Sequence, residues 1–175
     1  METWKEFDAN EVTHSVIHHL MTVHELGQQY GGWARVSDIA RKLSITRGSV
    51  SINLRSIKAR GLVVEDEHHQ VKLSPKGLKI VQGVSAKKTI LKTFLRDILS
   101  VPEEQAEIDS CKIEHLISHP TGQRLLRLLR FFTSDDPAAK QALSRLPAFD
   151  GPCPDPKSCT LCKENCLIEE LALNN

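Results

Sequence analysis

Four cysteines, Cys153, Cys159, Cys162 and Cys166, stand within fourteen residues near the end of this chain, spaced C-x5-C-x2-C-x3-C. Thiolate sulfur binds zinc, copper(I) and iron–sulfur clusters in preference to hard cations. Four thiolates complete a coordination sphere without help from histidine. Zinc sites usually draw paired ligands from two separated knuckles. Here all four lie on one loop, and the x2 and x3 spacings resemble the compact runs that wrap an iron–sulfur cube. The spacing predicts an iron–sulfur cluster, with Zn2+ as the alternative, and no single spacing matches the ferredoxin run. The bland alternative is two disulfides or unligated thiols.

The rest of the chain must position and use this loop. With 175 residues, it is long enough for one domain plus an appendage, or two small domains, and can bury a core without disulfides. The start lacks the basic-then-apolar order of a signal peptide, and no apolar run approaches the roughly 18–20 residues of a membrane span. A cytoplasmic protein is expected, in which clustered thiols stay reduced and bind metal. Net charge is +1 but uneven: residues 33–92 hold 13 Lys and Arg against 4 Asp and Glu, whereas 147–175 hold 2 against 5. A middle at +9 asks for a polyanion partner.

Periodicity supplies that partner. Val12, Val16, Leu20, Val23 and Leu26 predict a helix over 9–30, closed by Gly31-Gly32. A short helix over 38–43, capped by Ser37, turns at Ser44-Ile45 into a third helix capped by Thr46. Val50, Leu54 and Ile57 line one face of that third helix, which Arg60-Gly61 closes. Leu62-Val63-Val64 and the alternating Val71 and Leu73 read as a hairpin. Two helices, a tight turn and a hairpin make a winged helix-turn-helix, so the fold class is mainly α with a two-stranded β wing. Ser74-Pro75 opens a long helix to about residue 99, followed by helices over 103–118 and 121–131. The last of these is apolar enough to serve in part as a dimer interface. The expected division is a DNA-binding domain at 9–74, a helical dimerisation and metal-binding domain at 75–132, a linker at 133–152 and a cysteine-rich tail at 153–175.

The second helix of such a motif enters the major groove of duplex DNA. The candidate DNA-contacting residues are Ser37, Thr46, Arg47, Gly48, Ser49, Ser51, Arg55 and Lys58, with Asn53 on the same polar side. Arg47 suits bidentate contact to guanine, and the hydroxyls suit phosphates or bases.

Residues 12–132 resemble the diphtheria toxin repressor (DtxR) family, which includes the manganese transport regulators. The resemblance is carried by Ala34-Arg35-Val36-Ser37-Asp38-Ile39-Ala40, Ser49-Val50-Ser51, Gly61-Leu62-Val63 and Leu73-Ser74-Pro75-Lys76-Gly77. Thr93-Phe94-Leu95 and Cys111-x-x-Glu114-His115 extend it, and the order of these pieces carries more than any one of them. It implies a dimeric, metal-activated transcriptional regulator. Its metal ligands would fall at His18, Cys111, Glu114 and His115, where Cys111, Glu114 and His115 share a helical face at i, i+3 and i+4. That donor set suits one borderline ion such as Fe(II), Co(II), Ni(II) or Zn(II), and the family admits Fe2+ or Mn2+. Departures are Met21 at a family carboxylate, Lys88 at a family histidine and Lys92 at a family glutamate, which argue against a second ion. The C-terminal domain of longer members is replaced by the cysteine loop.

The expected function is a DNA-binding transcriptional regulator answering to iron, metal or redox status, a homodimer on a palindromic operator, with the four-cysteine site as sensor. One alternative is a divalent-ion-dependent repressor using the family site, the cysteines being a zinc staple. Another is an electron-transfer or cluster-handling protein on a winged-helix scaffold. With no Gly-rich phosphate loop, H-E-x-x-H or nucleophile elbow, neither an enzyme nor a small-molecule substrate is expected.

Overall fold

The computed structural model describes residues 12–148; the cysteine loop lies outside them. The chain divides into two compact units, 1–131 and 132–175. The first begins with α1 (His14–Gln29), whose N-terminus is capped by the Thr13 hydroxyl accepting from the Val16 N–H at 3.4 Å. A two-residue strand β1 (Ala34–Arg35) leads into α2 (Val36–Leu43). Ser44 then takes a left-handed conformation, φ 56°, and turns the chain into α3 (Arg47–Ala59). Strands β2 (Val63–Glu65) and β3 (Gln70–Leu73) form the wing, and α4 (Pro75–Thr93) follows, ending in a π turn at Phe94–Ile98. Helices α5 (Glu103–Ile113) and α6 (His119–Phe132) complete the unit.

The core lies where α1, α2 and α3 converge on the sheet. Ile17, Leu20 and Val23 from α1, Ile39 from α2, and Val50 and Ile57 from α3 are each at most 1% exposed. Each fully buried aliphatic side chain of this kind contributes about 1.5–3 kcal/mol. The sheet is antiparallel in the order β1-β3-β2, pairing Val63 with Leu73 and Ala34 with Val71. Strand β1 went unanticipated because two residues carry no period; Ala34 reveals itself only by pairing with β3. The long helix expected as far as residue 99 instead changes pitch at Phe94.

Two backbone sites fix the wing against the helices. Gly61 has φ +68°, a conformation glycine adopts at no steric cost. At Gly77 a Cβ would lie 2.0 Å from the Leu62 carbonyl oxygen, so α4 presses directly on the start of the wing. Ser74 joins them as well: its hydroxyl donates to the Gly61 carbonyl at 2.7 Å and accepts from the Gly77 N–H at 3.1 Å. In the second unit, the segment expected to be a linker contains a nine-residue helix, α7 (Pro137–Arg145), capped by the Asp136 carboxylate.

Candidate metal centre and nucleic-acid interface

Helix α1 presents His14 and His18 one turn apart, and α5 presents Cys111 toward them. The candidate ligand atoms of these three residues all lie within 4.8 Å of one another. The Cys111 Sγ is 3.6 Å from His18 Nε2, and the His14 and His18 rings are 4.3 Å apart between centroids. His115 closes the group, its Nδ1 3.5 Å from His14 Nδ1. Glu114 Oε1 lies 4.0 Å from His115 Nδ1. The helix expected over 103–118 stops at Ile113, but Glu114 keeps helical dihedrals, φ −55° and ψ −33°. The i, i+3, i+4 relation of Cys111, Glu114 and His115 therefore survives the end of the helix. His14 is a donor beyond the four expected from the family resemblance; its signal in the sequence is the i, i+4 relation to His18.

The electrostatics suit a bound cation. Glu114 is 1% exposed, and neither carboxylate oxygen has a hydrogen-bond partner among the described residues. A buried unpaired carboxylate is costly and in most proteins finds a donor or a metal. Burial pushes the Glu114 carboxyl above its ordinary range, partly offset by the nearby ammonium groups of Lys88 and Lys87. Burial likewise raises the Cys111 thiol, with Glu114 adding to the rise. Burial lowers His18, reinforced by His14, Lys88 and His115, and lowers His115, reinforced by His14 and Lys87. Imidazoles held neutral are ready to donate lone pairs. Imidazole, thiolate and carboxylate donors around an orphaned buried oxygen fit a divalent ion.

The two lysines that replace family ligands are engaged elsewhere. Lys88 Nζ is 2.5 Å from Glu107, and Lys92 Nζ is 2.6 Å from Glu103 and 3.0 Å from Glu107. These ion pairs tie α4 to α5. Lys87 Nζ donates to the Ile117 carbonyl at 3.0 Å.

On the DNA side, Arg47, Gly48, Ser49, Ser51, Arg55 and Lys58 are exposed along α3, while Val50, Leu54 and Ile57 face the core. Thr46 caps α3 as expected, its hydroxyl accepting from the Ser49 N–H at 3.1 Å and sitting 2.9 Å from the Ser49 hydroxyl. Ser37 is not the cap of α2. That helix starts two residues earlier, with Arg35 at the cap position and no side-chain cap bond, because β1 runs straight into it. Ser37 instead lines a concavity with Arg35, Arg47, His68, His69 and Gln70 between α2, α3 and the wing. Lys58 pairs with Glu65 of the wing, which also meets His69 Nδ1 at 2.7 Å. Those two contacts, Lys58 first, hold the Glu65 carboxyl below its usual range. Asn53 is half-buried and turned toward α1 rather than outward. Ile52, absent from the expected set, is 68% exposed. It lies about 200° around the helix from Val50, at about 100° per residue, at the pole opposite the core. Leu126, Leu128 and Phe131 leave apolar surface on α6.

A winged helix whose first helix faces candidate metal ligands on a following helical layer is the arrangement of a metal-responsive DNA-binding regulator. Residues 74–142 match the family model described as iron dependent repressor, metal binding and dimerisation domain. The chain is 34% identical over 105 residues to the HTH-type transcriptional regulator MntR of Geobacillus kaustophilus (strain HTA426), covering 60% of this chain and 74% of that protein. It is 32% identical over 113 residues to MntR of Bacillus subtilis (strain 168), covering 65% and 79%. The structure of T. acidophilum IdeR superposes with a TM-score of 0.54 at 23% identity, over 64% of this chain and 52% of that one, and so shares the fold over about half its length. The chain belongs to the DtxR and manganese-transport-regulator family of metal-dependent transcriptional regulators. These are DNA-binding, dimerising proteins and not enzymes. Among the described residues no helix is long and apolar enough to cross a membrane.

Proposed function

We propose that this chain is a cytoplasmic, homodimeric repressor whose affinity for a palindromic operator is set by one borderline divalent ion held by His14, His18, Cys111, Glu114 and His115. The observation that carries this reading is the buried Glu114 carboxylate, both oxygens without a hydrogen-bond partner among the described residues, beside a histidine and cysteine cluster. Nitrogen and sulfur donors favour Fe(II), Co(II), Ni(II) or Zn(II) over Mn(II), which prefers oxygen. The ion supplies a fixed point joining α1 to α5. Binding it from the reduced thiol and buried carboxyl releases protons. Arg47, Ser51 and Arg55 contact the duplex, and Ile52 meets a thymine methyl group, the apolar feature of the major groove.

A second reading rests on the C-x5-C-x2-C-x3-C spacing: the Cys153–Cys166 loop holds an iron–sulfur cluster or Zn2+ and reports iron or oxidant status. One comparison separates the two. Under the first reading, Glu114→Gln with His115→Ala abolishes ion-dependent operator binding while Cys159→Ser retains it. The opposite pattern, together with iron and sulfide in anaerobically purified protein, overturns the first reading and supports the second.

A further inference from the structure

His19 follows a candidate ion ligand directly in sequence, yet its ring goes to the opposite task. It is 3% exposed between α1 and α3, with Nδ1 2.7 Å from the Ser15 carbonyl oxygen and Nε2 3.3 Å from the Asn53 side-chain nitrogen. A carbonyl oxygen only accepts, so Nδ1 carries the hydrogen and Nε2 offers its lone pair. The Asn53 amide then donates to it, and each bond in the series from Asn53 to His19 to Ser15 has a matched donor and acceptor. Asn53 belongs to the DNA-reading helix, flanked in sequence by the exposed Ile52 and, two residues on, the exposed Arg55.

We infer that the His19–Asn53 hydrogen bond is the link through which an ion at the α1–α5 site sets the position of the reading helix; both are positioning residues. The inference rests on the ion-dependent reading proposed above. One helix carries His14 and His18 for the ion and His19 for α3. Drawing the first two toward Cys111 therefore moves the third with them. The remaining α1–α3 contact is apolar packing of residues such as Leu20, Val23, Val50 and Leu54, which is non-directional. A hydrogen bond weakens steeply with distance and angle, so this one adds a directional constraint on how α3 is turned relative to α1. Coupling between two binding sites is reciprocal and is measured as the ratio of one affinity with and without the other ligand.

The test uses the full chain, Co(II) as the ion probe, and a duplex selected from a randomised pool by the Co(II)-loaded protein. Duplex affinity is measured with Co(II) and with chelator, and the ratio is the readout. One such bond corresponds to a factor of about two to ten. Asn53→Ala, a substitution at a half-buried position that favours helix, should lower the ratio by that factor while leaving Co(II) affinity without DNA unchanged. His19→Phe should lower it equally, and the double variant no further. Should His19→Phe fail to fold, Asn53→Ala alone decides. An Asn53→Ala protein that keeps the wild-type ratio, even with both affinities reduced, overturns the link and leaves the ion-dependent reading standing. A wild-type protein whose ratio is one overturns both.

Discussion

A Glu114→Met protein separates the stability cost of the ion site from its use. Glu114 is buried to 1% exposure, and its two oxygens have no hydrogen-bond partner among the described residues. A buried polar group without a partner costs about 1–3 kcal/mol. Methionine is of similar length, apolar and adaptable enough to fill the same space. With ions removed by chelator, the variant should therefore be more stable than the parent by about 1–3 kcal/mol. At about 2–4 °C per kcal/mol for a chain of this size, its Tm should rise by about 2–12 °C. Added ion should narrow or invert that gap, since a ligand at about 100 times its Kd stabilises the parent by about 2.7 kcal/mol and the variant forfeits most of this. Calorimetry at fixed protomer concentration, with EDTA and then with stepwise Zn(II) or Co(II), reads both arms. A variant that melts below the parent in EDTA would show that the carboxylate oxygens are satisfied, removing the ground for assigning it to an ion. Equal ion-induced shifts in the two proteins would show that Glu114 is no ligand.

Other substitutions test the neighbouring claims. Gly77→Ala puts a methyl group 2.0 Å from the Leu62 carbonyl, and urea denaturation should show a loss of about 3 kcal/mol; an unchanged midpoint would refute the close approach of α4 to the wing. Arg47→Ala should reduce the slope of log affinity against log salt by about one if the guanidinium sits on a phosphate, and should relax base preference without that change if it reads guanine. Replacing thymines of the selected duplex by deoxyuridine should weaken the parent but not Ile52→Ser, and an equal loss in both would remove Ile52 from the reading surface. The exposed Glu103 and Glu107 carboxyls are held below their usual range, Glu103 by Lys92 then Arg96 and Glu107 by Lys88 then Lys92. Depressed carboxyls contribute stability above the ordinary carboxyl value of 4.5 and lose it as pH falls through the depressed one. Lys92→Met should consequently flatten the acid limb of Tm against pH, and identical acid limbs would mean that these pairs carry no stability.

The winged helix was legible because its parts obey local rules: Val50, Leu54 and Ile57 repeat at helical spacing, Thr46 caps, and Gly61 ends α3 in a left-handed conformation. What sequence could not show depends on distant partners. Strand β1 exists only because Ala34 pairs with Val71, and Ser37 lost its capping role to the same pairing. His14 gained meaning only when α5 brought Cys111 and His115 beside it, a separation of about a hundred residues. Asn53 looked like one more polar residue on the reading face until the fold turned it onto the buried His19. Periodicity assigns a residue to a face, but a residue at the edge between faces is assigned by whatever packs there.

Helix α1 then has three roles that constrain one another. Its apolar side packs Ile17, Leu20 and Val23 into the core. One polar edge carries imidazoles toward α5, and another carries His19 toward α3. Opposite it, Lys88 and Lys92 join α4 to α5 through Glu107 and Glu103, and Lys88 sets ammonium charge near His18, Cys111 and Glu114. An ammonium near a thiol and two histidines opposes a second cation. Glu114 offers a buried carboxylate at that site, and an ion bound there would join α5 to α1, the helix that also carries His19 toward the reading helix.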